Sequence, residues 1–429
     1  MDYKIIQDII NLDHVSAEEK LSMIERVAKR FEEIDDYATS LAESEGRETT
    51  FDDEYLATEK FAADAGVDFD KSDEEIKKII KSGLMYLMNQ QTESGGWGHS
   101  RRERIPTRIH DLLRADNFGA VPSAWVTVMA LSNLISYQRF FDEALDIRES
   151  GNRAIDWLMR NQDSNGAWRD VELSWCESPT NVIQTGMAIT GLVYGGLVFE
   201  QADPSPNIEA GLEFLAKSQD RETGGWSSLP GELSDSKATS MAVIASLFTN
   251  KLELAKRGID WLLTTQNKAG DWGYVRTTDS FLFGAYYGIE ALEMYRIFDN
   301  AYLSTDHEYS LQVDRAIRRC LNWYVKTNRL IRLEGEYRWG WKNGDKIADV
   351  ANTAAAIIVL LDCAEDDFSF VINKGVEYLL SEKHQDNHWK GDTSMVLTAL
   401  IRYIKPESRL HFSMPQLADI LKEKVHASR

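Results

Sequence analysis

A chain of 429 residues with 69 acidic against 48 basic side chains carries a formal charge of −21, which argues against nucleic acid or an anionic membrane as its main partner. Hydrophobic residues make up 43%, enough for a large core, and no run approaches the roughly 18 apolar residues of a membrane span. Cys176, Cys320 and Cys363 are odd in number and far apart, so they read as reduced thiols. Met1-Asp2-Tyr3-Lys4 lacks the apolar core of a signal peptide, and together these features predict a cytoplasmic protein.

Residues 1–70 hold 20 acidic and 7 basic side chains. Leu21, Ile24, Val27 and Phe31 fall at helical spacing, and Ser16 with Glu19 has the form of a capping box. The stretch is expected to be an acidic helical arm. It either docks a protein partner or lies as a solvated helical pair on the outside of the rest of the chain.

From Ser72 a repeat begins. An apolar helix end carries an aromatic followed by Leu, closes on Gln, and leads through a Gly-containing turn to Trp. The copies are Gly83 to Gln91 with Trp97, Ala154 to Gln162 with Trp168, Gly211 to Gln219 with Trp226, and Gly258 to Gln266 with Trp272. Two weaker ones run from Cys320 to near Trp339 and from Gly375 to near Trp389. The anchors Tyr86, Trp157, Phe214, Trp261, Trp323 and Tyr378 recur about every 50 to 70 residues, as in a helical-hairpin repeat with variable loops.

Each copy is followed by a second, more apolar helix, expected over Pro122–Tyr137, Asn181–Val198, Lys237–Thr249, Phe281–Phe298, Val350–Cys363 and Thr393–Ile404. A helix apolar most of the way round must be buried on several faces. Six amphipathic helices alternating with six buried ones therefore predict two concentric layers, an all-α (α/α)6 toroid of six helical hairpins over residues 71–405. An open solenoid would need polar capping repeats at both ends, and none is evident. Residues 406–429 are expected to end the chain in a helix, amphipathic from Met414 to Arg429.

The Gln–Gly–Trp repeats resemble the QW motif of squalene–hopene and related cyclases, and residues 72–405 look like the superfamily of terpenoid cyclases and protein prenyltransferases. The resemblance implies the toroid, with chemistry at the inner-helix N-termini around one mouth of the ring. Class II cyclases protonate an alkene there with an Asp-x-Asp-Asp-Thr-Ala segment. Asp235-Ser236-Lys237-Ala238-Thr239-Ser240 and Asp349-Val350-Ala351-Asn352-Thr353-Ala354 match it at the leading Asp and the Thr, but put Lys237 and Ala351 where the family has its proton donor. The prenyltransferase zinc triad needs a Cys two residues after an Asp, and positions 237 and 351 do not supply it. His384, His388 and Asp392 have ligand-like spacing, but Trp389 marks the stretch as a surface turn. No metal and no cofactor are expected.

Three features remain at the predicted mouth. Arg101, Arg102, Arg104, Arg108 and Arg114 lie in the longest loop and either grip a diphosphate or carboxylate or pair with the acidic arm. Glu172, Glu177, Asn181, Asp235, Asp279, Asp349, Asn352 and Asp392 ring the mouth, most of them as helix N-caps. Trp125, Trp175, Phe281, Phe283, Tyr286 and Tyr287 either face a carbocation or fill the hole. Two functions stay open. One is a degenerate toroid that binds a peptide or small ligand at the mouth. The other is a cyclase-like enzyme acting on an isoprenoid or prenyl diphosphate, with Asp349 or Asp235 as the acid.

Overall fold

A computed structural model of the chain describes residues 16, 20–21, 72–98, 122–141, 145–169, 180–199, 203–229, 231–273, 282–299, 307–327, 329–333, 337–341, 350–363, 368–384, 388–389 and 393–410. The expected acidic arm, apart from Ser16, Lys20 and Leu21, and the expected helix from Met414 lie outside the described residues. So do the arginines of the 101–114 loop, Glu172, Trp175, Glu177, Asp279, Phe281, Asp349 and Asp392.

Side-chain oxygens start the helices. Ser72 and Glu75 form a full capping box at the head of α1 (Asp73–Asn89). Ser123, Asn181 and Asp235 stand in extended conformation and accept amide hydrogens at the heads of α2 (Ala124–Phe140), α4 (Val182–Val198) and α6 (Ser236–Phe248). Between these lie α3 (Arg148–Arg160) and α5 (Ser205–Ser218). The remaining helices are α7 (Leu252–Thr265), α8 (Leu282–Phe298), α9 (His307–Thr327), α10 (Val350–Cys363), α11 (Ser369–Ser381) and α12 (Thr393–Ile404). Twelve α-helices are thus present among the described residues.

The even-numbered helices are the apolar ones, and their contacts form a closed circuit. Each packs on the next, and α12 packs back on α2. Asn133 of α2 fixes that last joint, donating to the Ser394 carbonyl at 2.9 Å and accepting from Thr398 at 3.0 Å. The odd-numbered helices sit outside. From α5 onward each rests mainly on the inner helix before it, and α1 rests mainly on α12. The chain is an (α/α)6 toroid.

One joint is repeated around the ring. A helix leaves its last carbonyls without intrahelical partners. In every repeat the motif tryptophan donates its indole N–H to the carbonyl of the residue after the anchor aromatic, at 2.6–3.0 Å: Trp97 to Leu87, Trp168 to Leu158, Trp226 to Leu215, Trp272 to Leu262, Trp341 to Tyr324 and Trp389 to Leu379. The motif glutamines tie each joint to its neighbour. Gln91, Gln162, Gln219 and Gln266 donate both to the glycine carbonyl of their own turn and to a carbonyl of the next outer helix. The turn glycines have positive φ, and a Cβ on Gly95, Gly166, Gly224 or Gly270 would lie 2.2–2.6 Å from a carbonyl of that helix.

Two sequence expectations need correction. The fifth repeat ends on Trp341 rather than near Trp339. Its turn is a β-hairpin of β1 (Arg329–Leu333) and β2 (Tyr337–Trp341), which lengthens the distance from the anchor. His388, expected on a surface turn, is buried and stacks on Tyr86 at 4.9 Å and on His384 at 4.6 Å. Its position, just before the motif tryptophan, is that of Gly96 and Gly225. Those glycines press against the next anchors, Trp157 and Trp261. Tyr86 is a smaller anchor, and the imidazole takes up the space it leaves.

Candidate functional site in the ring

The outer layer covers the outside of the inner helices, so open side-chain surface on an inner helix faces the ring's central lumen. On α2, the part-open Trp125, Met129, Ser132 and Ser136 are spaced as one helical face. Thr190, Val193, Tyr194 and Leu197 of α4, Phe283 and Glu290 of α8, and Thr398 and Arg402 of α12 continue the lining.

At the N-terminal mouth the lumen is crossed by aromatics. Trp125 and Tyr287 come from helices on opposite sides of the ring, yet their rings meet edge to face at 5.3 Å. The Lys237 ammonium lies 4.0 Å from the Trp125 ring centroid and 5.2 Å from that of Tyr287. Phe283 and Tyr286 pack beside them. Gln184 of α4 accepts from the Trp125 amide at 2.8 Å and holds the head of α2 in place. Lys237 is the residue at the third position of the acid-like segment. A cation resting on aromatic faces occupies the place expected for a proton donor.

Asp235, the leading residue of that segment, is a structural cap. One carboxylate oxygen accepts from the Ala238 amide at 2.8 Å, and the other from the Ser228 amide and hydroxyl at 2.7 and 2.6 Å. Burial raises its pKa above the ordinary carboxylate value, against the pull of these hydrogen bonds and of Lys237. Asn181 caps α4 through the amides of Ile183 and Gln184. Asn352 is buried in the first turn of α10, whose Thr353 accepts from the Trp341 amide at 3.0 Å. Of the residues expected at the mouth, the structure brings Trp125 and Tyr286 into one cluster and assigns Asp235 and Asn181 to capping. Among the described residues no three of His, Cys, Asp and Glu are grouped to hold a metal, and no helix is long and apolar enough to cross a membrane.

Deeper in the ring lies a polar level that the sequence reading missed. Glu290 keeps part of its side chain open, yet it is so enclosed that desolvation raises its pKa. The Tyr286 hydroxyl is hydrogen-bonded to its carboxyl, and Arg402 acts on it electrostatically. Arg402 is itself ion-paired with buried Asp362 of α10. Tyr194 of α4 is raised by burial and held by Arg139. Glu290 stands one turn from Tyr286 on the same face of the Phe281–Phe298 stretch, and that spacing was the available signal.

A sequence model described as the squalene-hopene cyclase C-terminal domain matches residues 67–305, and the prenyltransferase alpha-alpha toroid domain matches residues 271–402. The chain is 27% identical to lanosterol synthase of Saccharomyces cerevisiae over 227 residues, 47% of this chain and 30% of that protein. It is 25% identical to squalene–hopene cyclase of Zymomonas mobilis over 240 residues, 51% of this chain and 35% of that protein. It thus spans about a third of the length of these curated relatives. A similar solved structure is a variant of the type II terpene cyclase MstE from Scytonema in complex with geranylgeranyl dihydroxybenzoate. It has a TM-score of 0.54 at 14% identity, over 77% of this chain and 98% of that one, a likeness of fold alone.

Proposed function

Because the chain belongs to the squalene-hopene cyclase C-terminal domain family, we propose that its ring binds a small apolar, isoprenoid-like molecule, and does so as a degenerate member that lacks the family's acid. The observation that carries this reading is Lys237 over Trp125 and Tyr287. Alkene protonation needs a strongly acidic group aimed at the substrate, and an ammonium laid on π faces is not such an acid. The MstE structure holds a geranylgeranyl compound, which supports an isoprenoid as the ligand class here. A lumen lined by Met129, Val193, Leu197 and Phe283 suits an apolar chain better than a peptide backbone, whose amides would need partners at every residue.

The second reading, catalysis by Asp235, draws on the upward shift that burial gives that carboxyl. Against it, both oxygens already serve the α6 cap and Ser228. Titration with squalene and geranylgeranyl diphosphate, followed by tryptophan fluorescence and by mass spectrometry of the extract, tests the two readings. Saturable binding with the ligand recovered unchanged is expected. A cyclised product that disappears in Asp235→Asn would overturn the degenerate reading, and no saturable binding would overturn the ligand reading.

A further inference from the structure

The inner helix α6 has a single charged side chain, Lys237, and places it in its first turn. A cation there works against the partial positive charge of a helix start, so local stability does not account for the choice. Two ring faces offset part of that cost. The ammonium lies 4.0 Å from the Trp125 centroid and 5.2 Å from that of Tyr287, and the residue stays partly open. Those rings come from α2 and α8 and meet edge to face across the mouth, at 5.3 Å. Gln184 holds the Trp125 backbone, so the platform under the charge is preformed. Asp235, two residues earlier, gives its oxygens to the Ala238 amide and to Ser228. An ammonium carries three donors and a full charge, and ring faces answer that charge more weakly than a carboxylate or phosphate oxygen does.

We propose that Lys237 is the head-group seat of the lumen and binds the anionic head, carboxylate or diphosphate, of an isoprenoid whose apolar chain runs inward. This rests on the ligand reading above and adds to it the charge of the head and the direction in which the molecule lies. The head pairs with the ammonium at the mouth. The chain passes the Trp125 ring and then Met129, one turn further along the same face of α2.

The test compares three probes with the same chain and different heads: geranylgeranoic acid, geranylgeranyl diphosphate and geranylgeraniol. Binding is measured by tryptophan fluorescence on the full chain and on Lys237→Gln and Lys237→Arg, each checked for its helical spectrum and thermal midpoint. At low salt an anionic probe should bind on the order of tenfold tighter than the alcohol, in keeping with one charge-assisted contact. Raising the salt should shrink that preference. Lys237→Gln should remove it and leave the alcohol within about twofold, while Lys237→Arg should keep it. The tighter of the two anions identifies the head as carboxylate or diphosphate. A purely structural clasp between α2, α6 and α8 predicts instead a lower midpoint in Lys237→Gln with the preference intact. That result, or an alcohol bound as tightly as both anions by the unaltered chain, would overturn the seat alone. Failure of all three probes to bind would overturn the ligand reading with it.

Discussion

Each motif tryptophan carries two separable contributions, its buried ring and its N–H. Trp226 is fully buried, and its N–H reaches Leu215, one of the last carbonyls of α5. Trp226→Phe keeps most of the apolar volume but strands that carbonyl in a dry joint. The cost should be about 1–3 kcal/mol, the range for a buried group left without its partner. A urea midpoint unchanged at constant slope would show that the indole hydrogen bond adds nothing. This tryptophan was legible in the sequence because its partner is local: the repeat brings the same carbonyl to the same ring each time. Lys237 was legible only as a missing acid. Its aromatic neighbours lie on α2 and α8, more than 100 and about 50 residues away, and no local pattern joins them. Glu290 was hidden for the same reason, since Arg402 approaches it from α12.

At the scale of the elements, the turns set how closely one outer helix approaches the next. Gly224 has φ +81° and a Cβ there would lie 2.6 Å from the Arg257 carbonyl, whereas Gly231 has φ +83° with nothing within 4 Å of a Cβ. Gly231→Ala should therefore cost only the backbone strain, about 1–2 kcal/mol. Gly224→Ala should cost clearly more, because α7 must also move away and loosen the Gln219 bridge to Leu254. Equal thermal midpoints for the two variants would show that the helices are not held at that distance by the turn. The helices themselves were readable from apolar periodicity, and the inner six were placed to within two or three residues. The β1–β2 hairpin was not, since its strands are five residues each and mimic a long loop in a helical repeat. The missing glutamine was the trace it left. In the sixth repeat Lys383 holds the glutamine's place, while His384 still donates its amide to the His388 carbonyl as Thr92 does to Gly96.

At the scale of the whole molecule, the ring closes through α12 on α2 and α1, helped by Asn133 and by His388 against Tyr86. That closure sets a delay during synthesis. Ile76, Ile80, Leu84 and Leu87 of α1 are buried in the finished protein, and the inner helix on which α1 mainly rests is made roughly 300 residues later. At about 5–20 residues per second the ribosome takes about 15 to 60 s to reach it. Through that interval α1 carries an apolar stripe with no permanent cover, a surface suited to chaperones and prone to sticking to other nascent chains. Ribosome-arrested chains halted at residue 380 should be cut by protease within 72–98, and chains extended past residue 410 and clear of the exit tunnel should resist. Equal resistance at both lengths would mean that the first hairpin stands without the last, and that the young chain emerges already shielded.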